Sequence, residues 1–275
     1  MSNVAIHPAT KVRVDSLLKD LPQSLLISGQ TGVGLRILAE YFATQLKTPL
    51  QVVLPEKDDK VDIEKGVISV ESIRRLYETT KTIETGCRII AIDYAERMGH
   101  QAQNAFLKLL EEPGAHTHFI LLSHEPSRLL PTILSRVQTL ELRPITQAQS
   151  EELLDQLEVS HVQKRTQLLF MASGLPAEIE KLATDDVYFE SRAQIVRDAR
   201  QFIQGNAYDR LVLAQNYKDS RSRALLLLSD AMNMVQKAIR DGKSELIPVI
   251  KSLLNAYDRI EANGNVRLQL SAAMV

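Results

Sequence analysis

The sequence has a single cysteine, no surplus of either charge and no long apolar run. Each of these absences removes a class of protein. One thiol, Cys87, excludes an intramolecular disulfide framework and a four-cysteine zinc site, and it fits a reducing compartment. Free cysteine is among the most buried residue types, so Cys87 is expected as a small core residue at the entrance to a strand. Lys and Arg number 33 against 34 Asp and Glu, so the basic footprint of a protein that grips nucleic acid on a whole face is missing. Any DNA contact must be local or indirect. No apolar stretch approaches the roughly 20 residues that cross a bilayer, and the opening MSNVAIHPATKVRVD holds no apolar core of a secretion signal. The expectation is a cytoplasmic protein with no membrane partner.

Metal and hydrolase chemistry find little support. The histidines His7, His100, His116, His118, His124 and His161 are scattered, and the one close pair, His116 and His118, is read as part of a turn without cysteine or acidic neighbours at ligand spacing. No metal site is expected. Glu111 and Glu112 are adjacent on a helical pattern, so they point about 100° apart and cannot flank one bond. Ser135 lies in no recognisable nucleophile motif.

What is present is an alternation. At 275 residues the chain suits two domains or three small ones. Short apolar runs rich in β-branched residues and leucine (Ser24 to Ser28, Leu50 to Val53, Arg88 to Ile92, Phe119 to Leu122) alternate with helical patterns at Leu38 to Leu46, Ile73 to Ile83 and Phe106 to Leu110. Such alternation predicts crossover units on a parallel sheet, hence an α/β fold. Ala102, Phe106, Leu109 and Leu110 make one apolar stripe, which Pro113 and Gly114 end. The charged stretch Glu56 to Lys65 reads as a solvated loop or hairpin. Beyond Arg143 and Pro144 the strand signals fade. The remainder reads as helices broken at Gly174-Leu175-Pro176, Gly205-Asn206, Asp241-Gly242 and Asn263-Gly264, with apolar stripes such as Leu225, Leu228, Met232 and Val235 that serve core packing or assembly.

One motif carries chemistry, in damaged form. Gly29-Gln30-Thr31-Gly32-Val33-Gly34-Leu35-Arg36 follows an apolar strand and opens a helix, with outer glycines at the spacing of a phosphate-binding loop. The lysine that would meet the β and γ phosphates is Leu35, and the hydroxyl that would hold magnesium is Arg36. Backbone amides at the helix N-terminus could still hold an anion weakly. The strand Arg88 to Ile92 runs into Asp93-Tyr94-Ala95-Glu96, where an ATPase presents an acidic pair. Asp93 stands alone beside Tyr94, as suited to capping a turn as to binding metal.

Three further stretches resemble a family. Asn104-Ala105-Phe106-Leu107-Lys108-Leu109-Leu110-Glu111-Glu112-Pro113, Phe119-Ile120-Leu121-Leu122-Ser123-His124 and Leu130-Pro131-Thr132-Ile133-Leu134-Ser135-Arg136 are similar to the clamp-loader branch of the AAA+ ATPases. Ile68 to Arg74 matches more weakly. The resemblance covers about Pro22 to Pro144 in detail. It implies that Ser123 or His124 stands at the sensor 1 position and that Ser135-Arg136-Val137 is the family's Ser-Arg-Cys motif, with Arg136 as the finger that reaches a neighbour's ATP. It also implies that Ala177 replaces the sensor 2 arginine. By the same resemblance the chain has an AAA+-like α/β domain over residues 1–143, a three-helix lid over 144–188 and a helical collar over 189–275. The implied function is a non-hydrolysing stator and arginine donor in loading the sliding clamp during DNA replication. Its implied partners are clamp-loader ATPase subunits, a delta-type subunit, and the clamp and primer-template DNA through the hetero-oligomer. No cofactor is expected of its own, since ATP sits on the neighbouring subunit. Two other readings stay open: an ATPase with a divergent site built on Asp93 and Arg36, and an AAA+-derived interaction module outside replication.

Overall fold

The computed structural model describes residues 4–63, 65–81, 86–114 and 116–273. The apolar runs form one five-stranded parallel sheet from β1 (Ser24–Ser28), β2 (Leu50–Val53), β5 (Arg88–Ile92), β6 (Thr117–Ser123) and β7 (Gln138–Glu141), in the order β2-β5-β6-β1-β7. A parallel sheet is covered on both faces, which is why its central strands read as unbroken apolar sequence. Side chains of a strand alternate between faces. Leu25, Ile27, Ile89, Ala91, Ile120 and Leu122 therefore share one core cluster, with Val14 and Leu17 of α1 (Pro8–Lys19) and Leu38 and Phe42 of α2 (Leu35–Gln45). Leu26, Ile90, Ile92, Phe119 and Leu121 share the other. There they meet α3 (Val70–Lys81), α4 (His100–Glu111) and α5 (Pro131–Leu134) through Ile73, Leu76, Phe106, Leu109 and Ile133.

The charged stretch is a hairpin in its described part. β3 (Glu56–Lys57) and β4 (Lys60–Val61) pair antiparallel across Asp58 and Asp59, both with positive φ, which matches the tight turn such a two-residue loop needs. Glu64 of that stretch and Ile83 of the helical run lie outside the described residues. Two expectations are corrected. Cys87 is exposed, because burial on this strand begins only at Ile89, after the half-buried Arg88. His118 is a strand residue of β6, not a turn residue, with Nδ1 3.0 Å from the carbonyl oxygen of Pro22.

After β7 the chain is helical: α6 (Gln147–Gln156), α7 (Val162–Ala172), α8 (Pro176–Thr184), α9 (Asp186–Gln204), α10 (Ala207–Tyr217), α11 (Arg221–Arg240), α12 (Ile247–Glu261) and α13 (Val266–Ala272). All four glycine breaks fall between consecutive helices. The chain divides into two compact units, one running to Ser160 and including Ala172–Glu180, the other His161–Met171 together with Lys181 onward. The second unit has its own core, with Phe202, Leu213, Leu228, Val235, Leu253 and Ile260 at its centre. Within it Arg192 of α9 and Asp230 of α11 form a buried two-pronged ion pair at 2.6 and 3.0 Å. The Tyr217 hydroxyl donates to Asp198 at 2.7 Å, and burial together with this bond pushes the phenol's pKa up. Among the described residues no helix is long and apolar enough to cross a membrane.

Candidate functional site

Ligand sites of open parallel sheets lie beyond the carboxyl ends of the strands. Here β1 delivers Gly29, β5 delivers Asp93 and β6 delivers Ser123 and His124 to that edge. The loop between β1 and α2 keeps the backbone of a phosphate loop: Gly32 and Gly34 have φ of 88° and 93°, a region that side-chain-bearing residues avoid. Gly29 is packed so closely that a Cβ would meet Val33 Cγ1 at 2.9 Å and the Leu142 carbonyl at 3.0 Å.

The side chains have moved to other work. Leu35, at the lysine position, is 3% exposed and belongs to the core beneath α2, with Leu38 and Phe42. Arg36, at the hydroxyl position, donates from Nε to Glu40 at 3.0 Å and brings a guanidinium nitrogen to 3.9 Å from Asp93 Oδ2. Asp93 is 6% exposed and its other oxygen accepts the Tyr94 amide at 3.0 Å. Burial raises the Asp93 pKa above the ordinary aspartate value; Arg36 and the Tyr94 amide only offset this. Tyr94 itself holds a left-handed backbone, φ 54°, and its ring meets His124 edge-on with centroids 5.5 Å apart. His124 Nδ1 lies 2.9 Å from the Gly29 carbonyl, and its amide donates to Glu96 at 3.3 Å. Ser123 is fully buried and its hydroxyl accepts the Glu125 amide. Both sensor 1 candidates thus hold loops together. Among the described residues, no three His, Cys, Asp or Glu side chains gather where they could hold a metal.

The segment at the sensor 2 position closes over the loop tip. Ala177 at the start of α8 donates its amide to the Gly32 carbonyl at 3.0 Å, and Leu175 packs on the β1–α2 core. A Cβ on Gly32 would sit 3.3 Å from Glu178 Cβ. Sequence reasoning named Ala177 as a lost arginine but missed this backbone clasp, since an amide-to-carbonyl bond leaves no residue-type signal.

Arg136 stands elsewhere, just beyond the short helix α5. Its side chain is 40% exposed, paired with Glu111 Oε1 at the end of α4 at 3.0 Å, and it donates to the Thr132 carbonyl at 3.0 Å. Ser135 caps the same turn, donating to Thr132 O at 3.1 Å, and lies 3.4 Å from the guanidinium. The geometry separates two groups: a loop cluster whose polar atoms serve one another except for the buried, unpartnered Glu96 Oε2, and an exposed guanidinium held by a surface carboxylate.

Residues 50–146 match the family model described as DNA polymerase III, delta subunit. The chain is 33% identical to the DNA polymerase III subunit delta′ of Pseudomonas aeruginosa over 205 residues, 65% of this chain and 60% of that one. It is 36% identical to the subunit delta′ of Bacillus subtilis over 121 residues, 44% of this chain and 36% of that one. The family model and these relatives support a delta-prime-type clamp-loader subunit, which this chain resembles over those stretches. Its match spans less than two thirds of either relative's length. A DNA polymerase III gamma subunit-related protein of Thermotoga maritima shares the fold, with a TM-score of 0.51 at 19% identity over 96% of both chains. The chain shares with it a fold of a parallel-sheet α/β domain followed by a helical C-terminal part.

Proposed function

We propose that this chain is a non-hydrolysing delta-prime subunit of a clamp loader for DNA replication, acting as stator and as donor of Arg136 to ATP on a neighbouring subunit. The observation that carries the reading is the placement of Arg36 against Asp93. In an ATPase of this fold the aspartate faces magnesium, and a guanidinium beside it repels a second cation. With Leu35 withdrawn into the core, no lysine meets the phosphates. An arginine supplied in trans needs no nucleotide at home, so Arg136 can outlive the decay of the loop. Under this reading the Glu111 pair is a resting position, exchanged for phosphate oxygens when the neighbour docks. Helices α6 to α8 act as the lid and α9 to α13 as the collar that joins ATPase subunits and a delta-type subunit.

The test reconstitutes the chain with its organism's clamp-loader ATPase subunits and follows ATP hydrolysis stimulated by clamp and primed DNA. Arg136→Ala is expected to leave assembly intact and to slow hydrolysis at the served interface on the order of a thousandfold. Unchanged hydrolysis overturns the donor role. ATP hydrolysis by the isolated chain that Asp93→Ala abolishes would replace the reading with an ATPase.

A further inference from the structure

A cleft of about 440 Å³ lies within the helical unit. Phe170 and Met171 of α7, Val196 of α9 and Met234 of α11 supply its apolar lining. Arg197, Arg200 and Lys237 stand around them. The volume falls in the range of sites that take a discrete ligand group.

The charge is one-sided for a sequence reason. Helix α7, VQKRTQLLFMA, carries no acidic residue. On α9 the lining positions Ala193, Val196, Arg197 and Arg200 include no acid; the acids on that face, Asp186 and Glu190, lie N-terminal to them. On α11 the acid one turn before Met234 is Asp230, buried and engaged by Arg192. Arg197 is steadied by two bonds to Gln194 Oε1 at 3.1 and 2.8 Å, with Glu190 at 4.0 Å. Among the described residues Arg200 and Lys237 have no ion-pair partner. Three cations round an apolar floor recognise an anion that also carries hydrocarbon. Two of the floor side chains are methionines, which repack round an inserted group at little cost. Nucleic acid fits less well, because single strands are held by aromatic stacking platforms and the cleft offers Phe170 alone.

We propose that this cleft docks an acidic peptide segment of a partner protein, whose large apolar side chain enters between Phe170 and Met234 while its carboxylates meet Arg200 and Lys237. The pairing supplies specificity by charge and anchoring by burial.

The experiment titrates the full chain into a fluorescently labelled peptide of glutamates followed by leucine and phenylalanine, read by anisotropy. Control probes carry glutamine for glutamate, or alanine for the apolar pair, and a labelled oligothymidine tests nucleic acid. Saturable binding is expected, at least about tenfold weaker for either control peptide and for the Arg200→Glu, Lys237→Glu double variant. Both replaced residues are exposed, and circular dichroism checks the fold. Thr166→Glu, an exposed lining position on α7, provides a second variant and is expected to weaken binding likewise. Absence of saturable binding overturns the proposal. So does equal binding of the alanine control, insensitivity to both variants, or tighter binding of oligothymidine.

Discussion

Asp93 is a carboxyl kept from water, and that has a measurable sign. Its folded pKa is raised above the unfolded value, so the folded state binds its proton more readily. The associated stability is full below the unfolded value and is lost as pH rises through the folded one. Asp93→Asn keeps an oxygen for the Tyr94 amide and removes the charge, so it should gain stability relative to wild type as pH rises from about 4. Urea unfolding of both proteins between acid and neutral pH checks this; a difference that does not change with pH counts against it. Leu35 gives a second residue-scale prediction. Leu35→Lys restores the letter of the phosphate loop but places an ammonium where the native side chain is 3% exposed. It is expected to cost about 2–4 kcal/mol in urea unfolding and to produce no ATP hydrolysis, since Arg36 still faces Asp93.

At the scale of elements, the strands at the sheet centre were legible because burial on both faces writes itself as unbroken Leu and Ile. Ser24–Ser28 and Arg88–Ile92 carry the same bounds in sequence and structure, and so does the edge strand Leu50–Val53, whose apolar letters are only half-buried. β7 was not legible: in Gln138-Thr139-Leu140-Glu141 only Leu140 is buried, so the edge strand leaves one apolar letter. Helix α1 was missed for a similar reason, its buried face being only Thr10, Val14 and Leu17. At the candidate site the departures of Leu35 and Arg36 from a phosphate-loop motif could be read from residue type, and that of Ala177 only through the family resemblance. The Arg36–Asp93 pair, the His124 bond to Gly29 and the α8 clasp could not, because each joins residues distant in sequence. The α9–α11 pair was hidden in the same way, and it yields an element-scale prediction. Arg192→Met should cost about 3–5 kcal/mol by stranding Asp230, and adding Asp230→Leu should return most of that. Chemical denaturation of the single and double variants reads the cycle. A double variant as unstable as the single one would contradict it.

At the scale of the molecule, one chain carries a loop cluster whose side chains bond mostly to one another, Glu96 Oε2 being the buried atom left without a partner, and an arginine that is not committed to a buried partner. Arg36, Asp93, Tyr94, His124 and the α8 clasp form bonds that stabilise a loop without a ligand. Among the described residues Arg136 has only Glu111, Ser135 and the Thr132 carbonyl as partners. Under the proposed function, that division suits a fixed element that acts on its neighbour. The most direct measurement is single-turnover ATP hydrolysis by a reconstituted loader containing Arg136→Lys, with nucleotide affinity and assembly measured on the same preparation. Lysine keeps the charge and loses the two-pronged fork. The account predicts that hydrolysis falls close to the level of the alanine variant while assembly and ATP affinity hold. Wild-type hydrolysis with lysine in place would contradict it, because a forked donor would then be unnecessary.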